Sequence, residues 1–512
     1  MRSLAELKSK WFIPTDDSHL NGIPCRRVAN GGSSPLNVST DGNTVTPLID
    51  GKDYMRTWHA DLAALHGEPG AELYHTNWRF EGAKTLGERA GGDALDEIAE
   101  AKRNGVGTYV LACRNLACLR FNQPSIWRLR RLGVRTAYLD DRFPSGGSNH
   151  QKFSVMKSEG GASVVLGSVD IARTRWDTPE HLAVDPDRDP KYGMQTHDTA
   201  VRIEGPAVAD VERTFRARWN DSASGSGTSR GTSIKLAITS PIASSPGKGT
   251  HSVQVLRTYG ITSSTSGYSW SPVGEFTVWA SHMNALRRAA SYIYIEDQYF
   301  LPFDWPPSFS RAGHARDTDI VYQLGEAMKR GVNVVVVAPS AINPSFWGRN
   351  QKYHRDVAVN YLHGVRAAGS PGNVVVASLH NGGSDIYVHS KLMIVDDEFI
   401  SIGSANVTQR SMATDSELQI GIVDEAGRLA RELRTKLWAE HTGLQEDDLS
   451  DPAAAFDIFR ESTEMRLGHL KPYPVDPLSV FPSTSTSTAP RRGHGAMIRR
   501  GIDPYAGPRA LR

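Results

Sequence analysis

The chain has 512 residues, enough to bury at least two hydrophobic cores, so we expect more than one domain. Apolar residues make up 39% and charged residues 22% of the sequence, which indicates an ordinary soluble protein. The net charge of +2 argues against a dedicated polyanion-binding protein, and no nucleic-acid partner is expected.

Targeting and cysteine patterns add further limits. The first residues, MRSLAELKSKWFIP, lack the apolar stretch of a secretory signal, and no run reaches the ~18 apolar residues of a membrane span. The three cysteines (Cys25, Cys113 and Cys118) cannot all pair with one another, and no metal-ligand spacing is present. These features predict a cytoplasmic protein, either soluble or attached to membranes peripherally, and leave export by another route open. No metal and no cofactor are expected.

Helical and strand patterns alternate along the first half of the chain. Residues 1–50 are rich in Gly, Ser, Asn and Pro, which predicts a loop-dominated entry. Beyond them, apolar periodicity predicts helices at 54–65, 94–102 and 126–131 and strands at 71–80, 105–114 and 133–142. This alternation predicts an α/β sandwich with a mixed or mainly parallel sheet.

The stretch 385–417, DIYVHSKLMIVDDEFISIGSANVTQRSMATDSE, carries the strongest chemical signal. Its YVHSKLMIV segment is predicted to be a strand, in which alternation would send His389 and Lys391 to the same face. A turn at Asp396, a second strand and the corner GSAN, which ends at Asn406, follow. Imidazole, ammonium, hydroxyl and amide groups together suit the handling of a phosphate diester.

A second copy of this pattern lies upstream. HQKFSVMK matches HSKLMIVD, which predicts that His150 and Lys152 also project from one face of a strand. GSVD matches GSAN, so Ser168 corresponds to Ser404. An isolated H-x-K triplet is most often a surface feature, but two copies in the same strand–corner context indicate a site.

The similarity continues beyond the corner in both halves. MQTHDTAVRIEG resembles ATDSELQIGIVD, which places Asp198 in the position of Glu417, and each half then runs into a helix. The chain is therefore interpreted as a duplicated αβ unit with two pseudo-symmetric lobes. The predicted parts are a loop-rich N-terminal segment (1–50), a first lobe (51–220), a Ser/Gly linker (221–250), a second lobe (251–465) and a Pro/Ser/Thr/Arg-rich tail (466–512).

Two histidines suit displacement of an alcohol from a phosphate diester without a metal. That reaction needs a nucleophile on one side of phosphorus and a proton donor in line on the other. His150 and His389, meeting at the interface of the two lobes, would fill these positions. One would form a phosphohistidine, while the other would protonate the departing oxygen and then activate water or an acceptor alcohol.

The remaining candidates support this chemistry. Lys152 and Lys391 would stabilise charge on the phosphoryl oxygens, and Asp198 and Glu417 would each fix the tautomer of an imidazole. His197 is interpreted as a packing or supporting residue rather than as a catalyst. The other candidates are Ser168, Ser404 and Asn406 for binding the phosphate and Asp396, Asp170 and Glu296 for support, with a purely structural role for Glu296 an equal alternative.

These motifs resemble the signature of the phospholipase D superfamily, H-x-K-x(4)-D in duplicate. The second copy, from His389 to Asp396, satisfies it fully, and the stretches GSVDIARTRWDTPEH, THDTAVRIEGPAV and YIYIEDQYF resemble plant and other eukaryotic enzymes across about residues 50–465. The resemblance implies a bilobal fold of two αβ sandwiches with the site at their interface. It also implies hydrolysis of phosphatidylcholine-like lipids to phosphatidic acid, or headgroup exchange with an alcohol, with His150 as nucleophile and His389 as general acid.

Two positions depart from the family pattern. Lys157 stands where the first copy should carry Asp, and we expect reduced support rather than lost chemistry. Asp170 stands where the second copy has Asn406, so the two lobes are not expected to bind the phosphate alike. The N-terminal region does not resemble the calcium-binding lipid-docking domain of plant enzymes, so calcium dependence is not carried over.

The leading interpretation is a metal-independent phospholipase D that meets its lipid at a membrane surface. Within the superfamily, the alternative is a phosphodiesterase or nuclease for another diester, because fold and motif do not determine the substrate. A third interpretation is a catalytically impaired lipid-binding homologue, which only Lys157 favours.

Overall fold

The computed structural model describes residues 2–14, 36–83, 93–144, 147–223, 237–260, 268, 271, 274–302, 319–340, 346–425 and 427–477. Cys25, residues 224–236 of the predicted linker and the predicted tail beyond residue 477 lie outside these residues. Among the helices within these ranges, none has the length and apolar character needed to cross a bilayer.

The strands are β1 (Thr40–Ile49), β2 (Glu72–Asn77), β3 (Gly107–Cys113), β4 (Ala137–Asp140), β5 (Phe153–Ser158), β6 (Gly161–Gly167), β7 (Thr196–His197), β8 (Thr199–Glu204), β9 (His251–Tyr259), β10 (Glu275–Phe276), β11 (Tyr292–Asp297), β12 (Asn333–Val337), β13 (Val374–Asn381), β14 (Ser384–Val388), β15 (Lys391–Val395), β16 (Phe399–Gly403), β17 (Glu417–Asp424) and β18 (Leu470–Pro472). The helices are α1 (Leu4–Trp11), α2 (Asp50–Ala63), α3 (Ala94–Arg103), α4 (Leu119–Arg131), α5 (Ala207–Ala223), α6 (Thr277–Arg288), α7 (Ile320–Lys329), α8 (Phe346–Ala367), α9 (Gln409–Ala413), α10 (Arg428–Thr442) and α11 (Pro452–Met465), with a 3₁₀ turn at Glu446–Leu449.

The two lobes contain sheets of the same topology. The first sheet runs β4-β3-β2-β5-β6-β8-β1 and the second runs β13-β12-β11-β15-β16-β17-β9. In both, the first three strands are parallel and the other neighbours are antiparallel. The sheets are joined where β1 pairs with β9. The predicted duplicated α/β fold with a mixed sheet is therefore confirmed.

Helices cover both faces of each sheet because the strand residues alternate between two cores. Helices α2, α3 and α4 pack on the outer face of the first sheet, and α1, α6, α7 and α8 pack on the outer face of the second. A central core contains residues of both sheets together with α5, α10 and α11. The fully buried Trp219 and Trp438 occupy matching positions in α5 and α10, and truncating either to Ala is expected to cost about 3–5 kcal/mol.

The first fifty residues differ from the loop-dominated entry that their composition predicts. They contain α1 and β1, and β1 is an integral strand of the first sheet. Helix α1 begins with a capping box between Ser3 and Glu6 and buries Leu7 and Trp11, whose indole stacks on Phe399 at 5.6 Å. A single short helix and strand separated by polar residues do not alter the composition enough to be recognised.

Candidate active site

Each candidate histidine is bound to a carboxylate of the opposite lobe. His150 Nδ1 lies 2.9 Å and 3.0 Å from the two oxygens of Glu417, and His389 Nδ1 lies 2.9 Å from Asp198 Oδ1. All four side chains are nearly or fully buried. With Nδ1 engaged by a carboxylate, Nε2 is the ring nitrogen that faces substrate chemistry. The two orienting carboxylates were predicted, and their exchange between lobes is new.

Backbone hydrogen bonds across the lobe interface place the two rings. The N–H of His150 donates to the carbonyl of Ser416 at 2.9 Å, and the N–H of His389 donates to the carbonyl of His197 at 2.8 Å. The prediction that each histidine and its lysine lie on one continuous strand is wrong. Strand β14 ends before His389, and β5 begins after Lys152, because the chain at these points bonds to the opposite lobe instead of its own sheet.

The two lysines fold back toward their own histidines. Lys152 Nζ donates to the carbonyl of His150 at 2.9 Å, and Lys391 Nζ donates to the carbonyl of His389. Lys391 also donates to Gln298 Oε1 at 3.0 Å. Burial lowers the pKa of Lys391 to about 7, so this ammonium is held in an environment where an added anionic oxygen would be strongly attracted.

The corner serines hold the carboxylates instead of standing free for phosphate. Ser168 Oγ donates to Asp198, and Ser404 Oγ donates to Glu417. Since a hydroxyl has only one proton, neither serine can donate to phosphate while it makes these bonds. The expectation that they bind phosphate is corrected to a role in fixing the dyads. Asn406 stays a phosphate-binding candidate, because its side-chain NH2 group is a donor that suits a phosphate oxygen.

The site favours neutral imidazoles in its resting state. Burial, followed by the charges of Lys152 and Lys391, holds the pKa of His150 well below its usual range. Burial, followed by the charge of Arg175, does the same for His389. A neutral ring is the form that can attack phosphorus, whereas the partner ring must carry a proton to act as an acid.

Burial also shifts the pKa of both carboxyls, in the opposite direction. It raises the pKa of Glu417 to about 7 and raises the pKa of Asp198 above its ordinary value. Each carboxylate thus competes for the proton of the imidazole beside it. A histidine–carboxylate pair can therefore carry one proton near neutral pH, which is what an acid–base relay requires.

Two further residues of the site were not predicted. Arg175 and Ser411 each lie eight residues beyond the corner glycine of their lobe, Gly167 and Gly403. Ser411 Oγ donates to Glu417 at 2.6 Å, whereas Arg175 Nε lies 3.8 Å from Asp198 Oδ2. The alignment of the two halves gives the positions but not the roles, because an arginine and a serine do not look equivalent.

Behind the lysines, an acid and an amide occupy opposite positions in the two lobes. In the first lobe, Asn77 Oδ1 accepts the N–H of Ile171 at 3.0 Å, and Asp170 lies 3.7 Å from Lys152 Nζ. In the second lobe, the acid instead stands on β11, where the carboxylate of residue 297 accepts the N–H of residue 407 at 2.8 Å, and the corner carries the amide of residue 406. Each lobe thus has one acid and one amide, which agrees with the expectation that the halves differ around the phosphate.

The final positions of the two motifs are structural. Asp396 accepts backbone N–H groups of residues 290, 291 and 292 at 2.8–3.0 Å, so it supports the turn after β15. Lys157 is nearly buried and lies 3.0 Å from Glu72 and 2.9 Å from Glu212. Its charge is therefore balanced by residues outside the dyads, and it does not act on the imidazoles directly.

Glu296 belongs to a buried histidine–acid cluster and not to the dyads. It accepts from His197 at 3.0 Å and from His441 at 3.1 Å. Although burial opposes it, the charge of His197 holds the pKa of Glu296 well below its usual range. The backbone N–H of Asp198 donates to Asp50 in the same cluster at 3.2 Å, so the cluster lies directly behind the His389 dyad. The supporting role expected for His197 agrees with this position.

Part of the cluster has donor groups suited to a metal ion. Asp50, His181, His197 and Glu440 each offer one ligand atom, and these atoms lie within 4.8 Å of one another. The set of two imidazoles and two carboxylates would suit a divalent cation. Against burial, the charge of Asp50 raises the pKa of His181 to about 10, and a protonated histidine cannot be a ligand, so metal and protons would compete.

Comparison with known proteins indicates which family the chain resembles. Residues 187–321 and 369–479 match the family model described as phospholipase D, and the second segment includes the complete motif from His389 to Asp396. Phospholipase D alpha 1 of Brassica oleracea var. capitata is 27% identical over 450 residues, which cover 64% of this chain and 55% of that protein. Phospholipase D gamma 2 of Arabidopsis thaliana is 25% identical over 489 residues, with 70% and 56% covered. The chain spans about half the length of the curated relatives it matches.

Two solved structures were also found. The phosphatidylserine synthase of Haemophilus influenzae Rd KW20 aligns with a TM-score of 0.47 at 14% identity, covering 82% of this chain and 93% of that one. Nuc from Salmonella typhimurium, a phospholipase D family member, aligns with a TM-score of 0.24 at 21% identity, covering 36% and 91%. The family-model match and the curated relatives agree with the duplicated motif, and the chain is therefore similar to the phospholipase D superfamily and, within it, to the plant-type enzymes.

Proposed function

We propose that the chain is a phospholipase D that hydrolyses phosphatidylcholine-like lipids to phosphatidic acid and a free headgroup, or transfers the phosphatidyl group to an alcohol. The observation that carries this proposal is the pair of cross-lobe dyads, His150 with Glu417 and His389 with Asp198. They supply two oriented, buried imidazoles beside two lysines, which is the set that metal-free phosphoryl transfer requires. The lipid substrate is supported by the similarity to the plant enzymes.

In the first step, one imidazole attacks the phosphorus of the lipid through Nε2. The bond between phosphorus and the headgroup oxygen breaks, and the second imidazole donates a proton to that oxygen. Following the family resemblance, His150 is the nucleophile and His389 is the general acid. Lys152 and Lys391 stabilise the negative charge that builds on the non-bridging oxygens.

In the second step, the deprotonated His389 takes a proton from water or an alcohol. The resulting oxygen nucleophile attacks phosphorus, and the phosphorus–nitrogen bond to His150 breaks. Phosphatidic acid leaves when water is the acceptor, and a phosphatidyl alcohol leaves when an alcohol is the acceptor. Both imidazoles return to their starting protonation states, so the cycle needs no external acid, oxidant or cofactor.

The structure weakens the case for a catalytically impaired homologue. Lys157 was the one feature in its favour, and its ammonium is balanced by Glu72 and Glu212 away from the dyads. Both histidines, both lysines and both orienting carboxylates are present and brought together. A site that has lost its function has no physical reason to retain these costly buried charges.

The decisive experiment follows choline release from phosphatidylcholine vesicles in excess chelator with ethanol present. Wild type, His150→Ala and His389→Ala are compared, and Lys102→Ala on the surface of α3 is a control. We expect choline and phosphatidylethanol from wild type and the control, and neither product from the two histidine variants. Turnover that disappears in chelator would contradict the metal-free mechanism and direct attention to the cluster around His181.

The same experiment separates the alternative substrates. If lipid is untouched but bis-p-nitrophenyl phosphate or DNA is cleaved in a manner that depends on both histidines, the mechanism stands and the lipid substrate is wrong. If no diester is cleaved by the folded wild-type protein, the proposed enzymatic function is wrong.

A further inference from the structure

Helix α4 presents an unusual outer face. Arg120, Pro124, Trp127 and Arg131 follow one another at intervals of four, three and four residues, which places them on one side of the helix, and all four are exposed. Trp127 has 57% of its surface exposed, and Leu116, in the turn just before the helix, has 94% exposed. We call these five residues the α4 face.

The α4 face lies in a strongly basic stretch of the first lobe. Between residues 114 and 136 the sequence has six arginines and no Asp or Glu. Arg128 is paired with Asp93 and Asp96, but no carboxylate of the described residues lies within 4 Å of Arg120 or Arg131. Because the whole chain has a net charge of only +2, this positive charge is a local feature.

Helix α4 is connected through its inner side to residues that border His150. Asn122, on the inner side of α4, donates to the carbonyl of Trp78 at 2.8 Å. The Trp78 ring lies 5.9 Å from the ring of His150. The guanidinium of Arg79 lies 3.8 Å from the ring centre of Phe121, in the first turn of α4. A surface that rests on the start of α4 would therefore lie beside the residues that border His150.

We propose that the α4 face docks the protein onto a bilayer containing anionic phospholipid, beside the active-site entrance. Arginines are attracted to the negative surface of an anionic membrane, and a partly exposed tryptophan suits the headgroup region. Leu116, at a loop tip, would enter the acyl boundary. No other exposed group of the described residues joins a tryptophan, a leucine and unpaired arginines in one continuous stripe.

The proposal rests on the proposed function in one respect, which is the choice of lipid. Phosphatidic acid, the proposed product, is anionic and would accumulate in the bilayer as the reaction proceeds. The α4 face would then bind more strongly to a membrane on which the enzyme has already acted. The membrane-docking step is, however, measurable without any turnover.

The test measures cosedimentation with vesicles of phosphatidylcholine alone and of phosphatidylcholine with phosphatidic acid. All proteins carry His150→Ala, so that the lipid composition does not change. One variant adds Arg120→Gln and Arg131→Gln, and a second adds Leu116→Ser and Trp127→Ser. The matched control adds Met465→Ser and Arg466→Gln at the end of α11, where Met465 is 69% exposed.

We expect the arginine variant to bind phosphatidic acid vesicles about tenfold or more weakly, with the difference reduced at high salt. The leucine–tryptophan variant is expected to bind both kinds of vesicle more weakly, and the control is expected to bind like the parent. Equal binding by parent and both variants would overturn the proposal, and so would an equal loss in the control.

A second measurement keeps the two proposals distinct. It follows turnover of bis-p-nitrophenyl phosphate by proteins that carry the same surface changes but retain the native His150. We expect this turnover to be unchanged, because this soluble diester needs no membrane. Loss of vesicle binding in a protein whose wild-type form cleaves no diester would support docking while contradicting the proposed function. Loss of soluble-diester turnover in the surface variants would instead show that α4 shapes the active site, and would overturn the docking role.

Discussion

The two lobes share a seven-strand topology and exchange their orienting carboxylates, yet they surround their dyads with different charges. The Asp198 carboxylate has Arg175 beside it, whereas the Glu417 carboxylate has the neutral Ser411 at the equivalent position. Each lobe supplies the three groups that the chemistry needs in duplicate: an imidazole ring, an orienting carboxylate and a lysine. The parts that differ are those that set the protonation of each ring, which is what two rings with unlike tasks require.

The largest expected effect is the loss of either orienting carboxylate. We expect Glu417→Gln and Asp198→Asn each to lower kcat by about 10²–10⁴-fold, because an amide no longer fixes the imidazole tautomer or supports its charge. Choline release from phosphatidylcholine vesicles measures it. Asp210→Asn, a buried carboxylate of α5 outside the site, is the matched control. If only one carboxylate mattered, the two-dyad mechanism would be wrong.

The next comparison concerns the last position of each motif copy, which is Lys157 in the first lobe and Asp396 in the second. We expect Lys157→Asp, which restores the family residue, to destabilise the protein by about 3–5 kcal/mol, because it places a third carboxylate beside Glu72 and Glu212. Urea unfolding measures the change, and turnover per folded molecule is expected to stay near wild type. Lys157→Arg, which keeps the charge, is the control.

The opposite result would be informative. A Lys157→Asp protein of wild-type stability and higher activity would mean that this position had lost a catalytic support that the structure does not reveal. The impaired-homologue interpretation would then regain its basis.

How much of this the sequence predicts depends on whether a residue's partner is local. His150, Lys152, His389 and Lys391 are recognisable because their spacing is repeated within the chain. The two-lobed α/β fold follows from the alternation of helices and strands for the same reason. Residues whose role is set by a local repeat are therefore predictable.

The remaining features depend on contacts that are distant in sequence. The partner of His150 is 267 residues away and that of His389 is 191 residues away, so the exchange of carboxylates between lobes has no local signature. The same holds for Ser168, whose hydroxyl is committed to a carboxylate 30 residues away. The role of Glu296 has no local signature either, since its two histidine partners, His197 and His441, come from two other elements.

A third experiment makes the first lobe resemble the second by Arg175→Ser. We expect kcat to fall about ten- to a hundredfold, since a buried cation beside the site is lost. Because the charge of Arg175 lowers the pKa of His389, its removal raises that pKa. If His389 is the general acid, it then stays protonated to higher pH, and the alkaline limb of the pH–rate profile moves upward.

Which limb moves decides the roles of the two rings. Movement of the acidic limb instead would identify His389 as the nucleophile, because a nucleophile must be unprotonated. Arg173→Ser, a partly exposed arginine two residues earlier, is the control and is expected to leave both limbs unchanged. No movement of either limb would contradict the electrostatic link between Arg175 and His389.

The smallest expected effect comes from the equivalent position of the second lobe, Ser411→Ala. The hydroxyl donates to Glu417 and lowers its pKa, which burial has already raised to about 7, so its removal raises that pKa further. Activity that depends on ionised Glu417 is then lost at a higher pH as the solution is acidified. We expect turnover to fall about two- to tenfold near pH 7 and to recover in alkaline solution, where Glu417 is ionised in both proteins. Ser401→Ala, a buried serine of β16, is the control, and an equal loss at every pH would show that Ser411 acts by packing instead of by holding a charge.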